Sequence, residues 1–143
     1  MGSSNSDLTR RWFDEVWNKG RDAAIDEMLA NDSIVHGLDG TPGGRPAKES
    51  FREFWTAVRA GLSDIHMDVD EVVAAGNSTA ARFTFTANHS GPYLGAAATG
   101  KQVRSTGMAF LHWRDGKIIE GWNEHDALGL TIQTGAIRHL VNV

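Results

Sequence analysis

The chain has 143 residues, of which 41% are hydrophobic, and it carries a formal net charge of −4 with no cysteine. The absence of cysteine excludes disulfides, thiol nucleophiles, cysteine-based zinc sites and iron–sulfur clusters, and it fits a cytoplasmic location. The negative charge argues against nucleic-acid binding, and no apolar run is long enough for a membrane span or a signal peptide. We expect one domain over residues 1–143, with a flexible lead-in over 1–6 and a tail over 136–143.

Three amphipathic helices are predicted in the first half of the chain. The first should begin at Ser6, whose hydroxyl can accept from free backbone N–H groups, and should end at Gly20. The second begins near Asp22, and Pro46 suits the first turn of the third. Apolar residues recur at helical spacing in two clear stripes, formed by Leu8, Trp12, Phe13, Val16 and Trp17, and by Phe51, Phe54, Trp55, Val58 and Leu62.

From Asp64 onward the period of the pattern changes from about 3.6 residues to about 2, which predicts strands. A short strand over 33–36 precedes this region and enters a glycine-rich loop over 37–44. A long strand is predicted over 102–114, and the dipeptide Asp115-Gly116 favours a hairpin turn into a last strand over 117–124. The segment from Ala127 onward is expected to be a tail.

This order of elements predicts an α+β fold in which three N-terminal helices cover one face of a curved antiparallel sheet. Long strands must twist and coil, so the sheet should wrap around the helices as a cone-shaped barrel with one open end. The open end predicts an apolar pocket with a few polar groups. On the strand over 102–114 we expect Thr106, Met108 and Phe110 to face outward. Small residues, Ser105, Gly107 and Ala109, would then leave room for a ligand.

Polar side chains are concentrated at the end of the last strand. His125 and Asp126 could form an acid–base pair if a β-bulge turned both inward, or Asp126 could instead cap the segment that follows. His36 lies beside the glycine-rich loop, where it could be a base, a hydrogen-bond donor or a structural residue. His89 precedes Ser90-Gly91-Pro92 and could bind substrate or anchor that loop.

The aromatic residues are candidates for the core first and for the pocket wall second. The histidines are scattered without metal-ligand spacing, so we expect no metal site. No glycine-rich phosphate loop and no nucleophile elbow is present in the sequence.

The sequence resembles the SnoaL-like polyketide cyclases, also called ester cyclases, of the nuclear transport factor 2-like superfamily. The resemblance extends from about Trp12 to Gly135. It rests on Trp17-Asn18-Lys19-Gly20, His36, Asn88-His89-Ser90-Gly91, Leu94-Gly95, Thr99-Gly100, Asp115-Gly116-Lys117-Ile118, and Glu120-x-Trp122-x-x-x-Asp126 followed by Leu128-Gly129-Leu130.

The resemblance implies a cone-like α+β barrel that dimerises through its outer sheet face. It also implies cofactor-independent closure of a polyketide ring by intramolecular aldol addition, with an aspartate on the last strand as acid and base. Asn123 stands at the position of that aspartate, and an amide cannot take up and return a proton at neutral pH. Ala109 replaces a histidine of some cyclases, and Ala97-Ala98 replaces a Pro-Pro pair.

Three functions are therefore compatible with the sequence. The first is an enzyme without cofactor or metal, a cyclase, isomerase or hydratase, acting on a hydrophobic small molecule. Its proton carrier would be Asp126, His125 or His36, and Asn123 would polarise an oxygen. The second is a non-catalytic binding protein, and the third is a relative that acts as an epoxide hydrolase or hydroxylase. The substrate-binding residues we predict are Trp17, Trp55, Phe83, Phe85, His89 and Trp122.

Overall fold

The computed structural model describes residues 2–40 and 42–137. Its helices are α1 (Asn5–Phe13), which continues into a π-helical turn (Asp14–Asn18), α2 (Asp22–Met28), α3 (Ala47–Gly61) and α4 (Ala127–Gln133). The cap of α1 is Ser4, not Ser6, because Ser4 is the last residue in an extended conformation and its Oγ accepts from the Asp7 N–H at 3.1 Å. No helix within the described ranges has the length and apolar character needed to cross a membrane.

Six strands form one curved sheet. They are β1 (Leu29–His36), β2 (Arg45–Pro46), β3 (Leu62–Ala75), β4 (Ser78–His89), β5 (Gln102–Arg114) and β6 (Lys117–His125). Their order is β2-β1-β6-β5-β4-β3, and all neighbours are antiparallel except β1 and β6, which run parallel. The predicted α+β cone is confirmed, and the parallel pair adds a feature that the predicted meander lacked.

Side chains on β4 and β5 alternate between the helix-covered inner face and the outer face. Ser105, Gly107 and Ala109 are buried, whereas Met108 and Phe110 are 60% and 44% exposed. The predicted orientation of β5 is therefore confirmed. Alternation follows from the pleat, in which successive side chains point to opposite faces.

The segment after β6 is the helix α4, where the sequence predicted only a tail. The amide of Gln133 donates to the Arg104 carbonyl and its Oε1 accepts from the Arg104 N–H, at 2.8 and 2.9 Å. These bonds satisfy backbone groups near the start of β5, so tertiary contacts stabilise a helix that local sequence hardly favours. Residues 138–143 of the predicted tail lie outside the described residues.

A buried hydrogen-bond network connects α1 to β4 and β5. Thr79 Oγ1 on β4 lies 2.8 Å from Thr9 Oγ1 on α1 and accepts from Trp113 Nε1 on β5 at 2.9 Å. All three residues are at most 2% exposed. The network therefore ties the first helix to two strands of the sheet.

Replacing Thr79 by Val should leave the Trp113 N–H without its acceptor in a buried site. We expect the free energy of unfolding to fall by about 1–3 kcal/mol, the usual effect of an orphaned buried donor. Urea denaturation followed by tryptophan fluorescence measures it. Thr106→Val, on the exposed face of β5, is the matched control and should change stability by less than about 0.5 kcal/mol.

Candidate functional site

A β-bulge in β6 decides which residues of that strand face the interior. Trp113 pairs with Ile118, but the next residue back, His112, pairs with Glu120, so Ile119 is an extra residue. Beyond this bulge Asn123 and His125 line the interior cavity. The sequence predicted a bulge close to His125 and Asp126, whereas the structure places it six residues before His125. One extra residue is enough to move the side chains that follow it to the opposite face of the sheet.

The interior cavity lies between the helices and the sheet and has a volume of about 60 Å³. Its wall is dominated by aromatic rings, and its polar members are Tyr93, Asn123, Glu124 and His125. The aromatic members are Trp12, Phe13, Trp17, Phe51, Phe54, Phe83 and Phe85. A few polar groups in an apolar cavity are typical of small-molecule sites.

A wider cleft of about 800 Å³ adjoins the cavity at the open end of the cone. The cleft and the cavity meet at the five residues that line both spaces, which are Phe54, Val58, Tyr93, Glu124 and His125. Gly37, Leu38, Gly40 and Gly43 of the glycine-rich loop form part of the cleft wall. The volume of the cleft lies within the range of small-molecule sites, roughly 300–1,000 Å³.

His125 is the ionisable imidazole of this cavity. Burial lowers its pKa below the ordinary value of 6.5, and the negative charges of Asp126 and Glu124 oppose the shift. Its ring lies 6.1 Å from that of Phe54, centroid to centroid. At neutral pH the ring is therefore uncharged, which is the state in which an imidazole accepts a proton.

Asn123 lies in the cavity wall beside the parallel pair of strands. Its Nδ2 donates to the His36 carbonyl at 3.3 Å. An amide nitrogen carries two N–H groups, so a second donor remains for an oxygen of a ligand.

Asp126, a predicted proton carrier, caps α4. Its carboxylate accepts from the Gly129 N–H at 2.8 Å. Its N–H donates to the Thr106 carbonyl, and its carbonyl accepts from the Ser105 hydroxyl. This exposed side chain lies outside both the cavity and the cleft, because β6 ends before it. It takes the capping position that the sequence also allowed. Its charge still acts on His125.

His36 and Trp122 lie together on the outer face of the sheet. Their rings stack at 5.0 Å and 2°, and His36 Nε2 lies 2.8 Å from a carboxylate oxygen of Glu120. The pairing of Val35 with Gly121 and of His36 with Trp122 explains this, because Val35 and Gly121 take the inner face. The structure therefore does not bring His36 or Trp122 to the cavity with Asn123 and His125.

Of the other predicted binding residues, three line the cavity and two have structural contacts elsewhere. Trp17, Phe83 and Phe85 line the cavity. Trp55 instead donates from Nε1 to the Val16 carbonyl at 2.9 Å and lies under the Arg59 guanidinium. His89 is fully buried, and its Nδ1 accepts from Thr99 in the β4–β5 loop, which is the anchoring role that the sequence left open.

Two features of the cavity escaped the sequence analysis. Tyr93 lines both spaces, although its loop position gave no periodic signal; it is the one tyrosine of the chain and lies between Pro92 and Gly95. Gly107 does not leave room for a ligand, because a Cβ atom there would lie 2.5 Å from Cζ of Phe83. The small residue makes space for a core aromatic ring.

Among the described residues no group of three or more His, Cys, Asp or Glu side chains is placed to hold a metal ion. The predictions of no metal and no cofactor remain predictions.

Comparison with known proteins identifies relatives of the whole domain. The family model of SnoaL-like polyketide cyclases matches residues 7–134. No curated protein matches the sequence.

Solved structures share the fold. AclR from Streptomyces galilaeus, named as a candidate hydroxylase, is 21% identical with a TM-score of 0.81, over 95% of this chain and 83% of that one. IdmH from Streptomyces antibioticus, named as a candidate polyketide cyclase, is 24% identical with a TM-score of 0.79, over 92% and 99%. A SnoaL-like polyketide cyclase from Agrobacterium tumefaciens is 16% identical with a TM-score of 0.74, over 92% and 98%.

The buried imidazole should make stability depend on pH. The pKa of His125 is lower in the folded chain than its ordinary 6.5, so the unfolded chain binds more protons and stability is lost as pH falls through 6.5 towards the folded pKa. Urea denaturation at about pH 7.5 and about pH 5.5 should show a smaller loss for His125→Gln than for the wild type. His66→Gln, at an exposed position, should keep the wild-type loss; equal losses in all three would contradict the assignment.

Proposed function

We propose that this chain, which belongs to the SnoaL-like polyketide cyclase family, catalyses proton transfer at the carbon next to a carbonyl group in a hydrophobic small molecule. Ring closure by intramolecular aldol addition is the reaction that we favour. The observation that carries the proposal is His125, an imidazole kept neutral by burial in the wall of a largely aromatic cavity. A neutral base beside an apolar space can remove a proton that bulk water would leave in place.

In this scheme Nδ1 or Nε2 of His125 accepts the α-proton and the substrate becomes an enolate. The enolate carbon attacks a second carbonyl carbon of the same molecule, forming a carbon–carbon bond and an alkoxide. The imidazolium returns its proton to the alkoxide, so the reaction needs no oxidant, reductant or cofactor. Asp126 and Glu124 support the cationic intermediate, since their charges favour the protonated imidazole.

His125 takes the place of the expected aspartate by occupying the next inward position of the same strand. Asn123 and His125 both line the cavity, two residues apart. Asn123 offers its second N–H to a substrate oxygen, which is a polarising contact and not proton transfer. The missing carboxylate therefore does not remove acid–base chemistry from this cavity.

The two spaces suggest how a substrate would lie. The inner cavity of about 60 Å³ admits only a small part of a molecule, whereas the cleft of about 800 Å³ admits a fused ring system. The reacting end would enter as far as His125, where both spaces meet. A non-catalytic binding protein would use the same cavity, so binding and turnover have to be measured separately.

The proposal predicts exchange of α-protons in a bicyclic ketone. β-Tetralone in D₂O, followed by proton NMR, should lose its α-proton signals faster with the wild-type protein than with buffer. His125→Gln should reduce the protein-dependent rate by a factor of about 100 or more, the usual contribution of a general base.

His66→Gln is the control, and its rate should equal that of the wild type. If His125→Gln exchanges as fast as the wild type, the assignment of the base is wrong. If β-tetralone binds to the wild type without exchange, the non-catalytic alternative is favoured.

We also propose that the protein forms a homodimer through an outer patch of the sheet, defined as Met108, Phe110, His112, Trp122 and His36. Ring contacts join Trp122 to Phe110, His112 and His36 at centroid distances of 6.1, 5.0 and 5.0 Å. Met108 and Phe110 extend the patch with exposed apolar surface. A contiguous apolar patch on a regular sheet suits a twofold interface, in which the same surface serves both copies.

Phe110→Glu should place a negative charge at the centre of this interface, close to the same charge on the second copy. Sedimentation velocity should show a dimer for the wild type and a shift to monomer for the variant, with at least about a tenfold weaker association. Ala23→Glu, which changes an exposed residue of α2 on the helix-covered side of the sheet, is the control and should remain dimeric. A monomeric wild type would contradict the proposal.

A further inference from the structure

The loop between β4 and β5 packs tightly against the C-terminal end of α3. The N–H groups of Ser90 and Gly91 both donate to the Gly61 carbonyl, at 3.1 and 3.0 Å. A Cβ atom at Gly61 would lie 2.6 Å from Cβ of Tyr93, and one at Gly91 would overlap the Ala60 carbonyl oxygen. Two glycines therefore permit a close approach that fixes where the loop leaves the helix.

The next four residues of this loop form a closed turn. Tyr93 and Ala96 exchange two backbone hydrogen bonds of 3.0 Å each, and Leu94 and Gly95 between them both have positive φ. On the far side, Thr99 binds the buried imidazole of His89. The backbone of Tyr93 is thus held on both sides, and its side chain has a defined place at the cavity entrance.

The Tyr93 side chain lines both the inner cavity and the cleft, as His125 does. Within residues 2–40 and 42–137 its hydroxyl has no hydrogen-bond partner. Burial raises the pKa of this phenol above its ordinary value of 10.0. The hydroxyl therefore keeps its proton at neutral pH, and as a donor with no acceptor among the described residues it can turn to a ligand oxygen.

We propose that the Tyr93 hydroxyl donates a hydrogen bond to the substrate carbonyl oxygen, and to the enolate oxygen that this atom becomes when His125 removes the α-proton. This inference rests on the proposed function of the same cavity. The bond strengthens as negative charge develops on the oxygen, because hydrogen bonds to ionised acceptors are about twice as strong as neutral ones. Tyr93 would stabilise the intermediate, whereas His125 would move the proton.

Asn123 is the other candidate for that oxygen, and the structure favours Tyr93. The Asn123 amide already donates to the His36 carbonyl and so connects β6 to β1. Tyr93 has no such competing partner in the described part of the chain. The bond to His36 fixes the direction of the Asn123 amide, so its second N–H is left for another oxygen of the same substrate.

Tyr93→Phe tests the inference, because it removes the hydroxyl and keeps the aromatic ring that lines both spaces. Two probes are titrated by isothermal calorimetry: 2-naphthol, a flat bicyclic molecule whose oxygen mimics that of an enol, and 2-fluoronaphthalene, which offers almost no acceptor. The variant should bind 2-naphthol about tenfold more weakly, in line with one hydrogen bond, and 2-fluoronaphthalene equally well.

In the β-tetralone assay the variant should have kcat/KM lowered by more than the tenfold loss of 2-naphthol affinity, because the hydrogen bond to the enolate is stronger than the bond to a neutral oxygen. Phe54→Leu is the control: it alters the apolar wall shared by both spaces and should weaken both probes to the same extent. Thermal denaturation establishes that each variant is folded.

The inference is overturned if Tyr93→Phe leaves the affinity ratio of the two probes at the wild-type value, or weakens both equally as Phe54→Leu does. Failure of the proposed function is a separate outcome. If the wild type does not accelerate exchange, the ratio of probe affinities still decides whether the hydroxyl binds a ligand oxygen. If His125→Gln abolishes exchange and Tyr93→Phe changes neither kcat/KM nor the ratio, the proposed function stands and this role of Tyr93 is wrong.

Discussion

The arrangement of the site depends on one extra residue in β6. Opposite Trp113 and His112 the strand carries Ile118, Ile119 and Glu120, and this bulge shifts the pleat by one position. In an unbroken register continued from Ile118, the inner face would carry Glu120, Trp122 and Glu124. With the bulge it carries Gly121, Asn123 and His125, so a charged surface is exchanged for an amide and an imidazole in an aromatic cavity.

The same shift explains why the two faces of the sheet have different properties. Outside, Trp122 stacks on His36 and contacts Phe110 and His112, which leaves an apolar patch on a regular surface. Inside, the absence of a side chain at Gly107 leaves room for the Phe83 ring, which lines the cavity. Catalysis and association would then use opposite faces of the same strands, and neither would constrain the other's side chains.

Much of the fold follows from local patterns. The periods of the apolar residues indicated the helices and long strands, and the alternation along β5 correctly placed Met108 outside and Gly107 inside. The site was harder to predict. Asn123 and His125 were anticipated and line the cavity, whereas the structure places Asp126 at a helix cap and His36 on the outer face. A bulge and a parallel pairing have no residue signature, because many side chains are compatible with either register.

By itself the sequence determined the class of fold, the family, and an apolar interior with few polar groups, because these depend on periodicity and on motifs close together in the chain. Only the tertiary structure decided which polar groups face that interior. The position of His125 depends on the pairing of β6 with β5, and that of Tyr93 on two glycines, Gly61 and Gly91, which are distant in the chain and meet at the end of α3. Contacts between distant segments set these orientations, and no local pattern encodes them.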